Sequence, residues 1–97
     1  MIPVDLLPGA RRDFDESFDW YADRSDVAAV RFSNAIDATL GVIAADPHRF
    51  SAVDSIHREC LVARFPFRIV YRIETKRILV VAVAHAKRRP GYWKDRG

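Results

Sequence analysis

The sequence predicts an α+β fold: a strand, a helical hairpin, then a three-stranded antiparallel meander, with the helices packed on one sheet face. Three observations carry this. The first half holds two apolar stripes at helical spacing, separated by a few polar residues. The stretch from Leu61 to Trp93 holds two apolar strands that face each other across a short polar turn. A helical hairpin laid on one face of an antiparallel sheet is the economical way to bury both patterns. Ninety-seven residues make one domain, 1–97.

Residues 2–7 (IPVDLL) are a short apolar run. Pro3 lacks a ladder donor, so the strand is an edge or begins after it. Pro8-Gly9 breaks the run, and proline suits the opening of a helix because its missing N–H needs no partner there. From about Gly9 to Arg24, Ala10, Phe14, Phe18 and Tyr21 fall on one stripe. Asp13, Asp15, Glu16 and Asp19 are assigned to the other faces, the early acids complementing the helix dipole. Trp20 lies at the stripe's margin. Ser25-Asp26 offers an N-cap for a second helix. Its stripe is Ala28, Phe32, Ala35, Ile36, Leu40 and Ile43, and Asp46-Pro47 ends it. The short link predicts an antiparallel helix pair.

Residues 47–55 read as a loop and Ile56 to Ala63 as a strand of mixed alternation. The next strand, about Phe65 to Glu74, places Phe67, Ile69, Tyr71 and Ile73 on one face and Arg68, Val70, Arg72 and Glu74 on the other. Thr75-Lys76 makes a tight connection. Ile78 to Ala86 is apolar on both faces, which suits a central strand covered on both sides. Residues 87–97 form a basic tail bent at Pro90-Gly91.

Composition narrows the function classes. One cysteine, Cys60, excludes an internal disulfide and argues against a cysteine-based metal site. His48, His57 and His85 have no metal-like spacing, the four glycines are isolated, and no phosphate loop exists. No cofactor or metal is expected. The N-terminus has no signal peptide and no apolar run of about 20 residues stands out, so a soluble, cytoplasmic protein with no membrane role is expected. The net charge of +3 is unevenly spread: residues 1–50 carry five basic and nine acidic side chains, net −4, and residues 51–97 carry eleven and four, net +7. A cationic half suits phosphates or an acidic partner.

Two groups of residues are candidates for contact with a target. Arg64, Arg68 and Arg72 recur every four positions, which on a strand gives one row about 13 Å apart per step. Guanidinium grips phosphate or carboxylate bidentately; equally, such arginines can pair with Glu59 and Glu74 on a solvated face. His85, Lys87, Arg88, Arg89, Tyr92 and Trp93 form the second group, where cations beside aromatics can hold phosphates while a base stacks. Histidine is the side chain suited to proton transfer near neutral pH, so His85 is a candidate general acid or base. Tyr92 and Trp93 have a second role open to them, folding back over the edge of the core. Cys60 is expected to be a small buried apolar residue.

The segments F-D-W-Y at 18–21, D-P at 46–47, R-F-P-F-R-I-V-Y-R-I at 64–73 and V-A-V-A-H-A-K-R-R-P-G-Y-W at 81–93 together resemble the RelE/ParE toxin superfamily, over nearly the whole chain. The nearest likeness is to ParE-type plasmid-stabilisation toxins. The resemblance implies the toxin of a type II toxin–antitoxin module, neutralised by a small antitoxin that also links it to operator DNA. ParE-like members inhibit DNA gyrase. RelE-like members cleave messenger RNA on the ribosome, and by that likeness Arg68, His85 and Tyr92 would be the catalytic candidates. The strand over 56–63 offers only His57 and Arg58 where ribonuclease members carry a basic pair, and the P-G-Y-W ending is similar to the ParE side. A gyrase inhibitor acting by binding is therefore the leading expectation, a messenger RNA endonuclease the second, and a non-toxic nucleic-acid-binding module the third.

Overall fold

The computed structural model describes residues 2–97. The chain runs β1 (Val4–Leu6), α1 (Pro8–Ala22), α2 (Asp26–Ala45), β2 (Ser51–Ala52), β3 (Arg58–Leu61), β4 (Phe67–Ile73) and β5 (Ile78–His85). The strands form one sheet in the order β1-β5-β4-β3-β2. Strands β3, β4 and β5 make the expected antiparallel meander. β1 instead joins β5 in parallel, Val4 beside Ile78 and Leu6 beside Val80, so the sheet is mixed. Parallel neighbours need a long crossover, and the helical hairpin supplies it.

Each helix begins where the local chemistry favours it. Pro8 opens α1 behind an extended Leu7. Ser25 caps α2 by accepting the Ala28 N–H at 3.2 Å. Two expectations for α1 are corrected. No acid stands in its first turn, so the early acids do not serve the helix dipole there. Asp13 is not on an outer face; it is 7% exposed. α2 is 20 residues long with mean hydropathy 1.3, long and apolar enough to cross a membrane. The sequence reading missed that run because Asp26, Arg31 and Asp37 interrupt it. In this fold α2 turns Phe32, Ile36 and Ile43 onto the sheet.

The loop expected over 47–55 contains a short strand, β2, and the strand expected over 56–63 is trimmed to β3. Asp54 explains both. Its carboxylate accepts the Ile56 and His57 N–H groups and closes a tight turn between β2 and β3. Arg58 and Tyr71 then tie the preceding loop down, donating to the carbonyls of Phe50 (2.7 Å) and Pro47 (2.5 Å) respectively.

The helix-side core centres on Phe32, which is fully buried with ring centroids of Phe67 at 4.9 Å, Tyr21 at 5.1 Å, Phe14 at 5.6 Å and Phe65 at 5.7 Å. Cys60 is buried at the same core, as expected. The opposite face of the sheet has its own smaller core of Val70, Val81, Ala82, Ala84 and Trp93, flanked by Leu7 and Tyr92. β5 is therefore covered on both faces, by helices on one and by the segment after it on the other. A bulge shifts the β4–β5 register: Val70 faces Ala82 and Tyr71 faces Val80. The bulge turns Val81 and Ala82 together toward the second core.

Phe32→Ala is expected to lower stability by about 3–5 kcal/mol. Val30→Ala, at a position on the same helix that is 54% exposed, should stay within about 0.5 kcal/mol. Urea unfolding of the two variants against the parent checks both.

Candidate functional site

The segment 86–97 is a chain of tight turns laid back across the sheet. Successive backbone bonds run from Arg88 N–H to His85 C=O, Tyr92 to Arg89, Lys94 to Gly91 and Arg96 to Trp93. Gly91 permits the reversal after Pro90 because its φ is +73°, a conformation that L side chains rarely adopt. The reversal drops Trp93 into the second core, where it is 5% exposed and sits against the His57 ring at 4.7 Å.

This strap and the adjoining strands enclose a pocket of about 230 Å³. Its walls bring together Arg68, His85, Arg88, Arg89, Tyr92 and Trp93, six of the residues singled out from sequence, and add Glu59. Lys87 lies on the other side of His85, in a separate groove of about 660 Å³ with Glu16, Ser17, Trp20, Tyr21 and Phe67. His85 and Ala86 are common walls of the two.

The expected arginine row is not formed. Arg64 precedes β4, in the turn after β3, with φ of 70°, so it does not share the strand's face. Arg72 is on β4 but donates to Glu74 at 3.1 Å and to the Gly97 carbonyl at 2.6 Å, outside the pocket. Arg68 alone reaches the pocket, and its Nη1 is shared by both Glu59 carboxylate oxygens at 3.1 and 3.2 Å. Pairing with Glu59 and Glu74 is thus what the strand arginines do. Trp93 takes the second role open to it: it folds back over the sheet as a core side chain while also lining the pocket.

The groups suited to chemistry are engaged internally. The Lys87 N–H donates to His85 Nδ1 at 3.0 Å. With Nδ1 accepting that N–H, the neutral ring carries its proton on Nε2, which is left free. The Tyr92 hydroxyl donates to Asp13 at 3.0 Å. Burial first, then the Asp13 charge, raises the Tyr92 pKa well above that of a free phenol. Arg88 stacks over the Tyr92 ring, its guanidinium carbon 3.9 Å from the centroid. Arg88 and Arg89 are exposed at the mouth of the pocket, and among the described residues neither forms a salt bridge. The pocket therefore offers a cationic mouth over an aromatic wall. Among the described residues no three His, Cys, Asp or Glu side chains gather as a metal site would require.

Sequence reasoning missed Asp13, the carboxylate beneath this site. It accepts the Val83 N–H at 3.1 Å, the Tyr92 hydroxyl, and two bonds from Arg96 at 2.7 and 3.1 Å. A signal was present: Asp13 stands three positions after Ala10, on the apolar side of the helix. Glu59 was read only as a neutralising neighbour.

The family model described as ParE toxin of type II toxin–antitoxin system, parDE, matches residues 4–90. A solved structure of the chromosomal ParDE TA system from P. aeruginosa is similar with a TM-score of 0.76 over 88% of this chain and 96% of that one, at 17% identity. At that identity the likeness is one of fold. No curated protein matches the sequence.

All three tyrosines have raised pKa values, each chiefly through burial; Tyr71 is pushed up to about 12. A native pKa above the unfolded value of about 10 means that the tyrosines favour the folded state fully below pH 10. That contribution is lost as pH climbs through the native values. Phenolate absorbance should thus stay flat in the native protein where the urea-unfolded chain is half ionised, and stability should fall from about pH 10 upward. Native ionisation near pH 10 would contradict the burial assignments.

Proposed function

We infer the function from one premise: the chain belongs to the ParE toxin family of type II toxin–antitoxin systems. We propose that it is the toxin of such a module, acting in the cytoplasm. It inhibits DNA gyrase by binding, and a cognate antitoxin neutralises it. The observation that carries binding over catalysis is the state of the pocket's polar groups. His85 Nδ1, the Tyr92 hydroxyl and Arg68 Nη1 each already have an internal partner. Acid–base cleavage of RNA would need a second proton-exchanging group beside the free Nε2 of His85, and the Tyr92 hydroxyl is held by Asp13. Recognition needs only the exposed cations and the wall behind them, which Arg88, Arg89 and the Tyr92 ring supply. Arg64 and Arg72 lie outside this surface and drop out of the proposed contacts.

The groove beside α1 supports an antitoxin on the helical hairpin. Trp20 is 53% exposed at its rim, and Arg24 lies 3.6 Å from that ring. A segment with an apolar face and acidic flanks matches this surface. Operator DNA is reached through the antitoxin, and no membrane role is proposed.

Purified protein is expected to block supercoiling of relaxed plasmid by gyrase. Arg88→Ala combined with Arg89→Ala should weaken that inhibition about tenfold, because rim charges govern encounter more than stability. Inhibition that survives this double change moves the target surface elsewhere. In a translating extract, cuts in ribosome-bound messenger that vanish with His85→Ala would overturn the binding mechanism in favour of a ribonuclease. Growth arrest on expression, relieved by co-expressing the adjoining short reading frame, tests the antitoxin.

A further inference from the structure

The Asp13 carboxylate and the Arg96 guanidinium join two segments 83 residues apart in sequence. We propose that this pair is a latch that positions the strap 86–97, and with it Arg88, Arg89 and Tyr92, over the sheet. The target-contact part of this rests on the reading given above; the latch itself does not.

Four observations support it. β1 ends at Leu6, so the flank of β5 beyond Val80 has no strand beside it. Asp13 and Arg96 fill that place: Asp13 takes the Val83 N–H, and Arg96 donates to the Val81 carbonyl at 3.1 Å. The latch therefore satisfies backbone groups that an ended strand has left. Arg96 uses two nitrogens on the two oxygens of Asp13, the fork arrangement that fixes orientation as well as distance. The Asp13 oxygen that binds Arg96 also accepts the Tyr92 hydroxyl, so one atom sets both ends of the turn that carries Trp93. Finally, α1 leaves room for the latch. A Cβ on Gly9 would stand 2.7 Å from Arg96 Nε and 2.9 Å from its guanidinium carbon. The arginine lies directly on the helix backbone at the residue without a side chain.

Gly9 gives a variant that separates latching from general stability. Gly9→Ala suits a helix better than glycine does, and it touches no charge. Its methyl group displaces the far end of Arg96, a flexible side chain, from its seat. A helix-favouring change should therefore loosen the strap.

The experiment uses the full chain carrying Trp20→Phe, which leaves Trp93 as the only tryptophan. Acrylamide quenching then reports the strap, far-UV circular dichroism reports the rest, and gyrase supercoiling reports the target. Gly9→Ala and Arg96→Met should each raise quenching of Trp93 about threefold and trypsin cleavage after Lys87 and Arg88 about tenfold, with unchanged dichroism. Arg96→Lys, which keeps the charge pair, should recover most of the protection. Gyrase inhibition should fall about tenfold in the two loosened variants, since the mouth arginines then lose their fixed position. Trp93 remaining equally protected in both overturns the latch. Trp93 exposed with inhibition unchanged overturns its positioning role. A parent protein that does not inhibit gyrase marks failure of the target reading instead, and the quenching and proteolysis arms still decide the latch.

Discussion

Strand β5 is apolar on both faces, and every other element answers to that. A strand of this kind must be covered twice. The two helices cover one side, building the core around Phe32. The segment after β5 therefore turns back at Pro90-Gly91 and lays Trp93 on Val70, Val81, Ala82 and Ala84. Small residues on the strand make space for the large ring, so the second core closes with one indole. The bulge at Val81–Ala82 gives that face two successive residues where a regular strand would give one.

The same requirement builds the candidate site. Because the strap must lie down to cover the sheet, its cations are carried to the end of β4 and β5. They arrive beside Arg68 and His85, and the pocket forms where strap and strands meet. The cations differ in standing. Those on the strand are matched within the fold by Glu59 and Glu74, while Arg88 and Arg89 on the strap are exposed. Charge that faces an internal carboxylate orients side chains; charge at a rim is available to another molecule. This division leaves the strap arginines, and not those of the strand, free to meet another molecule.

Much of this was legible in the residues. The stripes of Ala10, Phe14, Phe18 and Tyr21 and of Phe32, Ile36 and Ile43 follow from spacing alone. So do the alternation from Phe67 to Ile73 and the Ser25 cap. What sequence could not show is pairing between distant positions. The parallel union of β1 with β5 depends on a crossover whose direction no local pattern encodes. Arg64 shares a four-residue period with Arg68 and Arg72, yet period is meaningful only within one strand, and the turn after β3 removes it. Trp93 kept two roles open because its cover is 12 residues back in β5, across a glycine turn. Asp13 was hidden by the habit of placing carboxylates outside; its partners lie 70 to 83 positions away.

The two flanks of the sheet are finished unequally. β1 approaches its border through Pro3, which offers no donor to a stranger. At the far side β2 is only two residues long and pairs with Arg58 and Glu59. Cys60 and Leu61 continue β3 beyond it, and Leu61 is 69% exposed. A length of backbone with an apolar side chain thus stands open to strand addition. Its brevity limits what it can recruit: two residues give too few ladder bonds to hold a copy of the chain in place alone. Any strand added on this flank would have to start from Cys60 and Leu61, and a lysine or proline at position 61 would be the economical way to close it.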